Sequence, residues 1–143
     1  MARPSADLRL AADQSVTLEW WRLHRNRFEI FVSAIVLTEI RRGDPTMVEK
    51  REEAIRSFKL LDINLQTEEL TTHLLKDVIP ENAVADAAHI AIAAVHAMNF
   101  LLTWNCKHIN NRYKLRRIEK CCTSAGFTCP VIATPTELMS IES

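Results

Sequence analysis

Asp86 is the residue whose type and setting most clearly suggest chemistry. It lies in residues 83–98, a segment that is apolar nearly all around the helical circumference and is therefore predicted to form a buried helix. A buried carboxylate needs a partner because unpaired buried charge is costly, and no Lys or Arg lies within a helical turn of it. Two interpretations remain open: Asp86 has a functional partner outside its own helix, or it only accepts hydrogen bonds from the N–H groups at the helix N-terminus.

Two further polar residues lie where an α/β protein could use them. Glu39 follows the first predicted strand and lies on or near the apolar face of its helix, although an ordinary pair with Arg42 three residues on explains it equally simply. Asn105 ends a predicted strand over 100–104, the position where α/β sites collect their residues. The alternative for Asn105 is a turn-forming role.

Positive charge is concentrated in one predicted helix near residues 110–126. Arg112, Arg116 and Lys120 recur there at four-residue spacing, and Glu119 is the one acid between residues 107 and 120. Such a stripe is typical of a solvated helix face, but its single sign also favours a phosphate-binding surface.

Composition narrows the class of protein. The chain has 143 residues, which predicts one domain, and its 18 basic and 18 acidic residues argue against a strongly basic nucleic-acid protein. No apolar run is long enough for a membrane helix, and residues 1–7 do not read as a secretion signal, so a cytoplasmic protein without membrane contact is expected. The four cysteines form no C-x-x-C pair and are predicted to be reduced structural thiols.

Hydrophobic periodicity predicts alternating helices and short strands. Helices are predicted over 6–27, 34–42, 45–59, 67–79, 83–98 and 110–126, with a short final helix after the capping box at 134–137; strands are predicted over 28–33, 60–63, 100–104 and 131–134. No two strands are joined by a two-residue turn. The pattern therefore predicts an α/β fold, rich in helix, with a mostly parallel sheet covered by helices.

Three segments together resemble the PIN-domain family, in particular the VapC-like ribonuclease toxins of toxin–antitoxin systems. They are residues 33–40 (SAIVLTEI), 85–93 (ADAAHIAIA) and 100–110 (FLLTWNCKHIN). The order of strands and helices also agrees, from residue 6 onward. The resemblance implies a single PIN-like domain over residues 1–143 with an α/β/α sandwich.

The resemblance also implies a metal-dependent endoribonuclease, a hydrolase of RNA phosphodiesters. Glu39 and Asp86 match two positions whose acids hold Mg²⁺ or Mn²⁺, and Asn105 stands where many relatives have an aspartate. Oxygen ligands suit these hard cations. Arg112, Arg116 and Lys120 are candidates for holding the RNA backbone. A homodimer and a small VapB-like antitoxin are the partners that the resemblance implies.

One departure from the family concerns the N-terminus. The family opens with a central strand that carries its first metal-binding acid, whereas residues 1–5 resemble the stretch just after that strand. Asp7 and Asp13 are predicted to lie in the following helix and not to replace the missing acid. We therefore expect a domain truncated at its N-terminus, with doubtful nuclease activity. The alternative is a degenerate, catalytically inactive PIN domain that dimerises or binds a partner.

Overall fold

The computed structural model describes residues 4–8, 28–41, 44–56, 58–103 and 112–134. The five strands are β1 (Ser5–Leu8), β2 (Glu29–Ser33), β3 (Lys59–Leu61), β4 (Phe100–Leu102) and β5 (Val131–Ala133). The five helices are α1 (Ala34–Ile40), α2 (Pro45–Ile55), α3 (Leu65–Asp77), α4 (Val84–Val95) and α5 (Arg112–Ser124), and a 3₁₀ turn, Glu81–Ala83, precedes α4.

The strands form one sheet in the order β3-β2-β1-β4-β5, and every pair is parallel. The predicted α/β class with a parallel, helix-covered sheet is therefore confirmed. The predicted strands over 28–33, 60–63, 100–104 and 131–134 correspond to β2, β3, β4 and β5, with shifts of one or two residues at their ends. The predicted final helix and residues 9–27 lie outside the described residues.

The prediction of a helix beginning at residue 6 is wrong, because residues 5–8 form β1 at the centre of the sheet. Ser, Ala and Asp are poor strand formers, so local preference gives no strand signal here. Pairing on both sides overrides that preference: Ala6 is in register with Ile30 of β2 and with Phe100 of β4. The expected gap at the centre of the sheet is therefore not found.

Side-chain caps begin two of the helices. Asp44 accepts a hydrogen bond from the Thr46 N–H ahead of α2, whose first residue is Pro45, as the sequence predicts. α3 starts two residues earlier than predicted, because Asn64 rather than Thr67 is its N-cap. The Asn64 side chain accepts from the Thr67 N–H, and the Thr67 hydroxyl accepts from the Asn64 N–H.

Two apolar clusters cover the opposite faces of the sheet. The larger one joins the buried faces of α3, α4 and α5 to Leu101 of β4, and Phe31 of β2 packs against it. The smaller one contains Ala6, Ile30 and Leu102 from the other face. Alternate residues of each strand thus point to opposite clusters, as the two-residue period of a strand requires. Within the described residues, no helix combines the length and the apolar character that crossing a membrane requires.

Candidate functional site

The order of the strands creates a topological switch point between β1 and β4. From β1 the chain adds β2 and then β3 on one side, and β4 and β5 lie on the other side. The connection that follows β1 therefore runs toward one side of the sheet, and the connection that follows β4 runs toward the other side, so the direction changes between β1 and β4. In open α/β sheets, such a switch point is where ligands bind.

Three polar side chains point from the sheet toward the face that α4 covers. Ala6 belongs to the smaller cluster on the opposite face, so the next residue, Asp7, faces α4. Ser33 lies two residues after Phe31, and Thr103 lies two residues after Leu101. Each therefore shares the face of that apolar residue, which is the face of the larger cluster. Asp7 and Ser33 are completely buried, and Thr103 is 1 % exposed. Asp7 is in register with Phe31 and Leu101, so Ser33 and Thr103 flank its strand about 7 Å further toward the carboxyl end.

Asp86 approaches the same end of the sheet from α4. Asn99, between α4 and β4, accepts hydrogen bonds from the Ser5 N–H and hydroxyl, so α4 ends at the amino edge, where β1 begins. The 12 residues of α4 span about 18 Å and β4 spans about 10 Å. From these lengths we infer that the first turn of α4, which contains Asp86, lies toward the carboxyl edge. Its side chain is only 5 % exposed, as predicted for a buried helix.

The donor set at this edge consists of oxygen atoms. It comprises the carboxylates of Asp7 and Asp86 and the hydroxyls of Ser33 and Thr103, and the Ser33 Oγ has no hydrogen-bond partner among the described residues. Carboxylate and hydroxyl oxygens suit Mg²⁺ and Mn²⁺, which bind through one or two carboxylates and substrate phosphates. The residues therefore fit a hard divalent cation. Among the described side chains, no three His, Cys, Asp or Glu are grouped as a metal site.

The structure locates the other predicted site residues only in part. Glu39 is the sixth residue of α1, which follows Ser33 directly and so starts at the carboxyl edge; its side chain is outside the described set. Asn105 lies between β4 and α5, also outside the described residues. Arg112 is the first residue of α5, and its side chain is likewise not described. Arg116 and Lys120 are exposed on α5.

Asp7 is the candidate site residue that sequence reasoning missed. Its neighbours, Ser5 and Ala6, carry no strand signal, and the apolar periodicity of residues 12–23 extends the predicted helix back over it. One signal was available, because the resemblance predicts an acid on a central strand ahead of residues 33–40. Asp7 is a buried acid on the central strand of this sheet.

The described cysteines lie away from this edge, near the end of α5. Cys122 belongs to the larger apolar cluster, and Cys121 and Cys129 pack against it. Burial raises the pKa of the Cys121 thiol. A hydrogen bond between Cys122 and Cys129 lowers the pKa of Cys122 and raises that of Cys129. The three are free thiols, and Cys106 lies outside the described residues.

The resemblance to PIN domains stays a prediction from the three sequence segments quoted above. Comparison of the chain with protein-family models, with curated proteins and with solved structures finds no match.

Proposed function

We propose that this protein is a metal-dependent endoribonuclease that hydrolyses RNA phosphodiesters in the manner of VapC-like PIN domains. The observation that carries the proposal is the burial of two acids at one end of the sheet: Asp7 on the central strand and Asp86 in the first turn of α4. Buried carboxylates are rare unless they are paired or hold a metal ion. Their position at the switch point of a parallel sheet supports a binding role over a purely structural one.

In this proposal, Asp7 and Asp86 hold a Mg²⁺ or Mn²⁺ ion, and Glu39 completes the acidic set. The ion would supply Lewis-acid stabilisation of the charge that develops on the phosphate oxygens. Ser33 and Asn105 orient the groups around the reacting phosphate. Asp7 takes the role of the first family acid, which removes the reason for expecting weak activity.

The same proposal includes the partners that the resemblance implies. The substrate is RNA, the protein acts as a homodimer in the cytoplasm, and a VapB-like antitoxin restrains it. The second candidate function is a catalytically inactive binding module. It is favoured by the finding that the described residues bring only two acids, and no three-residue metal group, to this edge.

The test is cleavage of a labelled single-stranded RNA in the presence of Mg²⁺ or Mn²⁺. Asp7→Asn and Asp86→Asn should each reduce the rate more than about 100-fold, since loss of even an outer-shell partner of a metal costs about 10- to 100-fold. Asp62→Asn is the matched control, because Asp62 is exposed and lies after β3 at the edge of the sheet. Metal-dependent cleavage that survives both changes would contradict the assignment. Absence of cleavage by the wild-type chain would favour the inactive module.

A further inference from the structure

A cavity lies between α3 and α5, away from the acidic edge. Its volume is about 300 Å³, and its polar lining comes from His73 and Asp77 of α3 and from Arg117, Lys120, Cys121 and Ser124 of α5. Two permanent cations and one carboxylate give this lining a net positive charge. The cavity is open to solvent on a helix whose basic residues are mostly on the surface.

Arg117 is held in place in this cavity by two contacts. Its guanidinium donates a hydrogen bond to the carbonyl oxygen of Asp77, the last residue of α3, and so caps that helix. It also lies over the ring of Tyr113, 5.8 Å from the ring centroid. A guanidinium has five N–H donors in a fixed plane. One carbonyl uses a minority of them, so Arg117 is pre-organised to donate the rest to an anion.

Lys120 supplies the second cation of the cavity. It is exposed, and within the described residues it makes no ion pair or hydrogen bond, so its three N–H donors are available to a ligand. The Ser124 hydroxyl lies one turn further along the same side of α5. A phosphate group, with its planar pairs of acceptor oxygens, matches this combination of a fixed guanidinium, a mobile ammonium and a hydroxyl.

An exposed aromatic ring adjoins the cavity. Tyr113 is 69 % exposed, one turn before Arg117 on the same side of α5. Exposed aromatic rings beside cationic grooves are the platforms on which proteins stack the bases of single-stranded nucleic acids. We propose that the α3–α5 cavity binds a backbone phosphate of single-stranded RNA through Arg117 and Lys120, while Tyr113 stacks on a neighbouring base. This inference rests on the proposed function and names a substrate subsite for it.

The subsite differs from the stripe that sequence spacing suggests. Spacing groups Lys120 with Arg112 and Arg116, whereas the structure groups Lys120 with Arg117 around the cavity, and Arg116 does not line it. The two arrangements predict different losses of RNA affinity for two pairs of substitutions that each remove two positive charges. A binding experiment can therefore separate them.

The experiment measures the affinity of the full chain for a short labelled single-stranded RNA in EDTA, at several salt concentrations. Arg117→Gln with Lys120→Gln should weaken binding about 10- to 25-fold near 0.1 M salt and lower the slope of log K against log salt by about 1.4, because each single-strand phosphate contact contributes about 0.7. Tyr113→Ala should weaken binding about fivefold or more with little change in slope. Arg41→Gln with Lys59→Gln is the charge-matched control, since both residues form exposed ion pairs at the β3 side of the sheet.

Arg117 caps α3, so Lys120→Gln alone provides a variant without that structural role; it should lower the slope by about 0.7. The subsite would be overturned if RNA affinity fell equally in the cavity pair, in the control pair and in Arg112→Gln with Arg116→Gln. A larger loss of affinity in the Arg112 and Arg116 pair than in the cavity pair would also overturn it. RNA binding that behaves as expected without any metal-dependent cleavage would leave the subsite standing and overturn the nuclease. Metal-dependent cleavage by a chain whose RNA affinity is unchanged by the cavity pair of substitutions would overturn the subsite and leave the nuclease standing.

Discussion

Among the residues that the structure describes, Asp7 and Asp86 are the two acids removed from water, and their burial carries an energetic consequence. A carboxylate within an apolar cluster is disfavoured unless a hydrogen bond, an ion pair or a metal offsets the lost hydration. Both residues are nine-tenths or more buried, at the end of the sheet where Ser33 and Thr103 are also buried. A divalent cation bound at this edge would offset the lost hydration of both carboxylates, so metal binding should also stabilise the fold.

A second residue-scale effect concerns pH. Burial, together with the charges of Cys122 and Asp77, raises the pKa of Cys121. The folded chain therefore keeps this proton while the unfolded chain loses it. The contribution of Cys121 to stability is complete below the ordinary thiol pKa of about 8.5 and declines as the pH rises above it.

We therefore expect the free energy of unfolding to fall more steeply with pH in the wild type than in Cys121→Ser, between about pH 8 and about pH 10. The comparison is urea unfolding of both chains under reducing conditions at closely spaced pH values. All other titrating groups are shared, so the difference isolates Cys121. Identical slopes in the two chains would show that the thiol does not titrate differently on folding.

At the scale of elements, β1 is a four-residue strand with little preference of its own. It is held by its two neighbours and by one side chain: Asn99 Oδ1 accepts from the Ser5 N–H at 3.0 Å and from the Ser5 hydroxyl at 2.9 Å. The Asn99 N–H donates back to the Ser5 hydroxyl. This link joins the start of β1 to the turn before β4, and so helps to fix the register that sets Asp7 beside Leu101.

Asn99→Ala should loosen β1 specifically. The substitution removes the two hydrogen bonds that Asn99 Oδ1 accepts at a partly exposed site, and this loss should lower the free energy of unfolding by about 1 kcal/mol. Amide hydrogen exchange of residues 6–8 should accelerate more than that of β2 and β4, because those strands keep their other contacts. Asn82→Ala is the matched control, since Asn82 is exposed in the 3₁₀ turn. Exchange in β1 that matches the control would mean that strand pairing alone holds it.

Elements with a strong local signal were predicted well, and those without one were not. α4 is apolar nearly all around, and β2 and β4 are runs of strand formers, so their types could be read from composition and period. β1 could not, because it is a strand only by virtue of the two strands beside it. α3 begins at Leu65 rather than at the predicted Thr67, because the reciprocal hydrogen bonds between Asn64 and Thr67 make Asn64 the N-cap.

At the scale of the whole molecule, the parallel sheet and its helices set the relation between the acidic edge and the basic helix. α5 follows β4 in the chain, and its Arg117 and Lys120 lie roughly 8 to 12 Å along the helix axis from Arg112. In the proposed function, RNA bound at the acidic edge would extend along α5 toward the α3–α5 cavity. Sequence alone predicted Asp86 as a buried acid, but the burial of Asp7 and the cavity that α3 forms beside Arg117 and Lys120 depend on contacts distant in the chain.

The central claim is that Asp7 and Asp86 share one divalent cation. The most direct measurement is calorimetric titration of Mn²⁺, and then Mg²⁺, into the wild-type chain, Asp7→Asn, Asp86→Asn, the double variant and the exposed control Asp62→Asn. We expect one site in the wild type and the control, and a loss of affinity of about tenfold or more in each single variant. The double variant should lose little more than either single one, because both acids serve one site. Wild-type affinity in both single variants, or no binding by the wild type, would contradict the account.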